Sequence, residues 1–126
     1  MIKVKTKRKG SNTEQYLLKI RKGFNEEQIK IIAEKSLEKF KENTPSKSGL
    51  TAESWFYTYY KEGDNWVINF ENNNIQNGMN VALLIENGHA TPSGKWVSGK
   101  HFIEQTVKEI NNDILNDEWK ELTKDE

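Results

Sequence analysis

The middle of the chain restricts the fold most, because an aromatic, β-prone stretch lies between two helical patterns. Residues 55–60 read WFYTYY and residues 66–70 read WVINF, with Gly63, Asp64 and Asn65 between them. Aromatic and β-branched residues favour strands, and a short polar segment with glycine favours a reversal. The centre of the chain is therefore predicted to form a β-hairpin.

The segment before this hairpin has the pattern of an amphipathic helix. Asn25 is a favourable N-cap residue, and Gln28 lies in the first turn. Pro45 disfavours helical geometry at Thr44, so the helix should end near Asn43. The apolar residues at helical spacing are Ile29, Ile32, Ala33, Leu37 and Phe40.

A second helix is predicted from about His101 or Phe102 to near Trp119. Its apolar residues recur at helical spacing, which indicates one buried face. They are Ile103, Val107, Ile110 and Ile114.

Two segments are ambiguous. Residues 13–22 fit a short helix or a strand, and we favour the helix. Residues 81–87 fit a third strand, or a helical turn that begins after Asn80 and ends at Gly88 in a left-handed conformation.

These elements predict an α+β fold in which a small antiparallel sheet of three or four strands, including the central aromatic hairpin, packs on two main amphipathic helices. Residues 2–8 alternate lysine with apolar or β-branched residues and should form a basic strand at the sheet edge. We expect one domain over 1–126, with its core at about 13–120, a mobile loop at 89–101 and an acidic C-terminal tail.

Charge and cysteine content disfavour several classes of function. Lys plus Arg and Asp plus Glu both number 19, so no overall positive charge favours nucleic acid. The absence of cysteine removes thiolate chemistry and cysteine-ligated zinc. No apolar run approaches the ~20 residues that cross a bilayer, and we expect a soluble, intracellular protein without membrane contact.

The sequence offers little for catalysis. Glu86, His89 and His101 are a conceivable metal site, but Gly88 interrupts the segment. We favour a Glu86 that bonds backbone groups or a nearby basic residue and a His89 that begins a surface loop. No serine lies in a nucleophile motif, and no glycine pattern cradles phosphate. The expectation is a protein without enzyme activity, cofactor or metal.

Trp96 is the aromatic residue that the hairpin does not account for. It lies in a segment bounded by Gly94 and Gly99 and is flanked by Lys95 and Lys100. A large aromatic side chain on such a loop is often an anchor in a protein interface. It can equally fold back over the core of its own domain, and the sequence leaves both alternatives open.

The segment at 44–55, TPSKSGLTAESW, resembles the start of the tail-completion, or head-tail joining, family of long-tailed bacteriophages. The common form there is Thr-Pro, two variable residues, Thr-Gly-x-Leu and then Ser-Trp or Ser-Ile, and Ser48 takes the second Thr position here. The matching residues are Thr44, Pro45, Gly49, Leu50, Ser54 and Trp55.

A second block, in the same order as in that family, lies before the terminal helix. It is similar to the family's aromatic-Ala, Val-Glu-x-Gly-His and Gly-x-x-Val-x-Gly-x-x-Phe segments, although Asn80-Val81 replaces the usual aromatic residue before Ala82. The resemblance covers roughly residues 25–115. The matching residues are Ala82, Glu86, Gly88, His89, Gly94, Val97, Gly99 and Phe102.

The resemblance implies a structural protein without catalytic residues, which assembles as a ring of six subunits at the neck of the virion. Its partners would be copies of itself, the head connector and tail-tube or tail-terminator proteins, with non-specific contact to passing DNA. It would occur in the host cytoplasm during assembly and then in the virion. The sequence does not distinguish this role from that of a tail terminator or a connector stopper, which would occupy an adjacent layer of the neck. We expect the interface residues to be His89, Lys95, Trp96, Val97 and Lys100.

Two other classes of function are the alternatives. A small nucleic-acid-binding module would use the basic strand and the aromatic hairpin. A metal-dependent enzyme would use Glu86, His89 and His101.

Overall fold

The computed structural model describes residues 3–9, 13–20, 23–45 and 49–116. The strands are β1 Lys3–Lys9, β2 Thr13–Ile20, β3 Trp55–Glu62, β4 Asn65–Asn72, β5 Ile75–Gln76, β6 Met79–Asn80, β7 Gly88–Ala90 and β8 Trp96–Ser98. The helices are α1 Glu26–Asn43, α2 Leu50–Glu53, α3 Val81–Asn87 and α4 Phe102–Glu109, which continues as a π-helix over Ile110–Leu115.

Four antiparallel strands form the main sheet in the order β1-β2-β4-β3. The predicted hairpin is confirmed as β3 and β4, which a two-residue turn connects after Glu62 pairs with Asn65. Gly63 lies in this turn with a φ of 62°. The basic N-terminal strand occupies the sheet edge, as its alternating lysines predict.

The prediction of a helix over residues 13–22 is wrong, because 13–20 form strand β2. Tyr16, Leu18 and Ile20 are buried, so burial recurs every second residue, as in a strand. Strand β2 pairs with β1 on one side and with β4 on the other. The local sequence fits a helix or a strand, and pairing with two neighbouring strands decides in favour of the strand.

Helix α1 begins and ends where the sequence predicts. The Asn25 side chain accepts a hydrogen bond from the Gln28 backbone N–H at 2.9 Å, and the Gln28 side chain accepts one from the Asn25 N–H at 2.8 Å. This reciprocal capping satisfies two backbone donors at the helix start. Thr44 has extended geometry at the other end, directly before Pro45.

Residues 81–87, which the sequence leaves open, form helix α3. The Asn80 side chain caps it by accepting a hydrogen bond from the Leu83 N–H at 3.3 Å. Gly88 ends the helix with φ 85° and ψ 169°, a conformation with positive φ that is extended rather than left-handed helical. The preceding β5–β6 hairpin turns at Asn77 and Gly78, whose φ values of 51° and 75° are typical of a type I′ turn.

The second main helix begins at Phe102 and changes to π geometry at Ile110. The wider π turn coincides with the burial of two consecutive residues, Ile114 and Leu115. The predicted end near Trp119 and the acidic tail lie outside the described residues.

One face of the main sheet and the helices enclose the core, which confirms the α+β class. The core residues are Tyr16, Leu18, Ile20, Ile29, Ile32, Ala33, Phe40, Trp55, Ile68, Phe70, Ala82, Phe102, Ile103, Ile110, Ile114 and Leu115. Within the described ranges, no helix has the length and apolar character that crossing a membrane requires.

Candidate functional site

The segment 89–101, predicted as a loop, contains most of a short antiparallel hairpin. His89 pairs with Val97, and Ala90 pairs with Trp96. The connection is closed by the Thr91 N–H, which donates to the Lys95 carbonyl at 2.7 Å, and by the Gly94 N–H, which donates to the Thr91 carbonyl at 2.9 Å. We call residues 88–99 the β7–β8 hairpin, and its mobility stays a prediction.

Two glycines allow close backbone packing at the base of this hairpin. A β-carbon on Gly88 would lie 2.5 Å from the Val97 carbonyl oxygen, and one on Gly99 would overlap the carbonyl oxygen of Glu86. Gly88 also has a φ of 85°, which side chains rarely permit. Larger residues at either position would force the two strands or the end of α3 apart.

The buried Glu86 carboxylate connects this base to helix α4. Its two oxygens each lie 3.1 Å from the Ile103 backbone nitrogen, and Oε1 accepts a second bond from the Glu104 N–H at 3.2 Å. His101 precedes α4 in a left-handed conformation and supplies no side-chain cap. Glu86 therefore satisfies the free backbone donors at the start of α4 from another element.

The same geometry argues against the metal site. Both Glu86 oxygens already face the backbone donors of α4. In the part of the chain that the structure describes, no group of three or more His, Asp or Glu residues could hold a metal ion. The backbone-bonding interpretation of Glu86 is therefore confirmed.

We call the end of the hairpin beyond the Gly88–Ser98 pair its tip, and there the apolar side chains of Trp96 and Val97 are exposed, with positive charge beside them. Trp96 is 66% exposed and Val97 is 40% exposed, so Trp96 is not folded over the core. Lys95 and Lys100 are exposed. The half-buried His89 has a buried Nδ1 without a hydrogen-bond partner among the described residues. All five predicted interface residues thus belong to this hairpin or follow it directly.

The block at 44–55 has a structural role that its sequence only partly indicates. The Trp55 indole N–H donates to the Thr44 hydroxyl at 2.8 Å, and this hydroxyl donates to the Phe40 carbonyl. The Trp55 ring packs on Phe40 with 4.6 Å between ring centroids, and 6.4 Å separates it from the Phe102 ring. The two sequence blocks therefore meet in the core.

The remaining residues of these blocks form turns and caps. Gly49 has a φ of 77° and precedes α2, and the Ser54 hydroxyl donates to the Leu50 carbonyl at 2.6 Å. Leu50 is 50% exposed, whereas Ala82 is buried. Pro45 is exposed after α1.

Sequence reasoning missed a buried amide network beside this block. The Asn72 side chain donates to the Thr51 carbonyl at 2.7 Å, and the Asn74 side chain donates to the Thr51 hydroxyl at 2.9 Å. The Asn80 side chain donates to the Asn72 carbonyl at 3.1 Å. A run of asparagines such as residues 72–74 is typical of a loop, and nothing in the local pattern distinguishes an exposed turn from a buried network.

Comparison with protein-family models, with curated proteins and with solved structures finds no match to this chain.

Proposed function

We propose that this chain is a non-enzymatic structural protein of a bacteriophage neck, which joins head to tail by assembling as a ring of six subunits. The observation that carries the proposal is the exposed pair Trp96 and Val97 on a hairpin with a tightly packed base. Its partners would be neighbouring subunits, the head connector and tail-tube or tail-terminator proteins. The proposed locations are the host cytoplasm during assembly and then the virion neck.

The contacts of the motif residues support a structural role. Thr44 and Trp55 bond each other inside the core, and Glu86 bonds the start of α4. Gly88 and Gly99 are required by close backbone packing. These contacts indicate that the motif residues stabilise the fold and do not surround a substrate-binding site.

The tip supplies the apolar surface that assembly requires. Burying the exposed two thirds of an indole contributes about 3–4 kcal/mol before the entropy of association is counted. A few such anchors per subunit would hold a ring without any other source of free energy. Lys95 and Lys100 favour an acidic rim on the partner surface.

Electron microscopy of phage lysates tests this function. The gene is interrupted in the parental phage, and a strain that supplies the intact gene serves as control. Full heads and finished tails lying unjoined would support the neck role. Intact, infectious particles from the interrupted phage would overturn it.

A further inference from the structure

The main sheet has a second face, which points away from the core. Since side chains alternate along a strand, this outer face is formed by the residues between the core positions. Val67 shows that the two faces of the sheet are separate: it is only 3% exposed, but it does not belong to the core cluster on the other face. The described residues of the outer face are Gln15, Leu17, Lys19, Phe56, Thr58, Tyr60, Glu62, Val67, Asn69 and Glu71.

Two aromatic rings are exposed on this outer face. Phe56 is 37% exposed and Tyr60 is 46% exposed, although the other aromatic residues of β3 turn towards the core. The two residues are four apart on one strand, so about 13 Å separates them along β3. They offer two flat apolar surfaces in a row.

Strand β1 brings a concentration of positive charge to the same sheet. Its seven residues, KVKTKRK, contain five cations and no acid. Lys3, Lys5 and Lys7 are the register partners of Lys19, Leu17 and Gln15, which are the outer-face positions of β2. The lysine positions of β1 and the exposed rings of β3 therefore belong to one face, about 14 Å apart across three strand spacings.

The acidic residues described on this face are already engaged. Glu62 lies 3.2 Å from the Lys19 amine. Glu71 accepts hydrogen bonds from the Gln15 amide at 2.6 Å and from the Asn69 amide at 3.3 Å. The outer face thus has a lysine-rich edge at β1 and an aromatic edge at β3. A polyanion that carries flat rings could contact both edges.

We propose that the outer face binds single-stranded nucleic acid, with phosphates along β1 and unpaired bases stacked on Phe56 and Tyr60. A single strand exposes the faces of its bases, whereas a duplex would engage the cations alone. The balanced charge of the whole chain limits long-range attraction, so the rings must contribute to affinity. This face is distinct from the β7–β8 hairpin, and the inference does not rest on the neck role.

Fluorescence anisotropy of labelled oligothymidylate with the full chain tests the aromatic part. The double variant Phe56→Ala/Tyr60→Ala should weaken binding roughly tenfold or more, since stacking of each base contributes substantially. Trp96→Ala is the matched control, because it removes an exposed aromatic residue that also has a lysine beside it but lies outside the main sheet. It should leave the affinity unchanged, and circular dichroism should show the same fold for all three proteins.

Salt dependence tests the cationic part. Replacing Lys3, Lys5 and Lys7 with Gln should reduce the slope of log affinity against log salt by about 2, because each phosphate contact with a single strand contributes about 0.7. The matched control replaces Lys39, Lys41 and Lys108 with Gln, which removes equal charge from the helices. The control should keep the slope of the unmodified chain.

Heparin and duplex DNA complete the test. Preference for oligothymidylate over both, lost in the aromatic variant, would support the proposal. Equal affinity for all three polyanions, unaffected by loss of the rings, would overturn it, since charge alone would then explain the binding. Absence of binding at low salt would also overturn it.

Discussion

The base and the tip of the β7–β8 hairpin use neighbouring residues in opposite ways. At the base, Gly88 and Gly99 leave no room for a β-carbon, and Glu86 holds the start of α4. At the tip, the side chains of Trp96 and Val97 are 66% and 40% exposed.

The residues of this short segment therefore contribute to two different properties of the chain, its stability and its binding. Base residues are expected to determine the stability of the isolated chain. Tip residues are expected to determine what the folded chain binds. Variants of the two groups should therefore fail in different assays, and variants that fail in both would break the comparison.

The largest effect on stability is expected at Gly99. In Gly99→Ala, the new methyl group would overlap the Glu86 carbonyl, and the loss should exceed about 3 kcal/mol of unfolding free energy. Gly94→Ala is the control, because nothing lies within 4 Å of a β-carbon on Gly94, although its φ of 87° is one that side chains rarely adopt. It should lose about 1 kcal/mol. Urea unfolding followed by tryptophan fluorescence measures both, and equal losses would contradict close packing at the base.

The next effect is expected at Glu86. Glu86→Ala leaves the Ile103 and Glu104 backbone donors without this acceptor, at a cost of about 2–3 kcal/mol. Glu86→Gln keeps one acceptor oxygen and should lose less. The exposed Glu104 serves as control, and Glu104→Ala should change stability by less than about 0.5 kcal/mol. A loss for Glu86→Ala as small as the control would show that this carboxylate does not hold α4.

A smaller effect is expected where the two sequence blocks meet. Thr44→Val keeps the side-chain shape but leaves the buried Trp55 N–H unpaired, which should cost about 1–2 kcal/mol. The control is Thr58→Val on the exposed side of β3, which should be nearly neutral. Thermal unfolding compares the two, and equal midpoints would argue against the Thr44–Trp55 bond.

The smallest effect on stability is expected at the tip. Trp96→Ala should change the unfolding free energy by no more than about 0.5 kcal/mol, because two thirds of the Trp96 surface is exposed to solvent. A thermal unfolding curve of the purified variant measures this directly. A loss as large as that of Gly99→Ala would make Trp96 part of the base and would remove the distinction between the two regions.

The sequence predicts best the elements whose signals are local. The capping residues Asn25 and Gln28 and the stop at Pro45 define α1 within the chain segment itself. The helix prediction fails for residues 13–20 because pairing with strand β4, about fifty residues further along the chain, decides their structure.

The site follows the same rule. An exposed Trp96 is consistent with its glycine-bounded surroundings, which sequence can show. The capping of α4 by Glu86 and the packing of Gly99 against α3 depend on contacts between separate elements. Periodicity and spacing carry no signal for such contacts, so sequence suggested a backbone role for Glu86 without identifying its donors.

Complementation with Trp96→Ala tests the central claim most directly. The phage with the interrupted gene is supplied with the intact gene or with this variant, and the lysates are compared by electron microscopy. The account predicts a variant that folds as stably as the unmodified chain but leaves full heads and finished tails unjoined. Joined, infectious particles at the level of the intact gene would contradict it, because the exposed tip would then have no part in assembly.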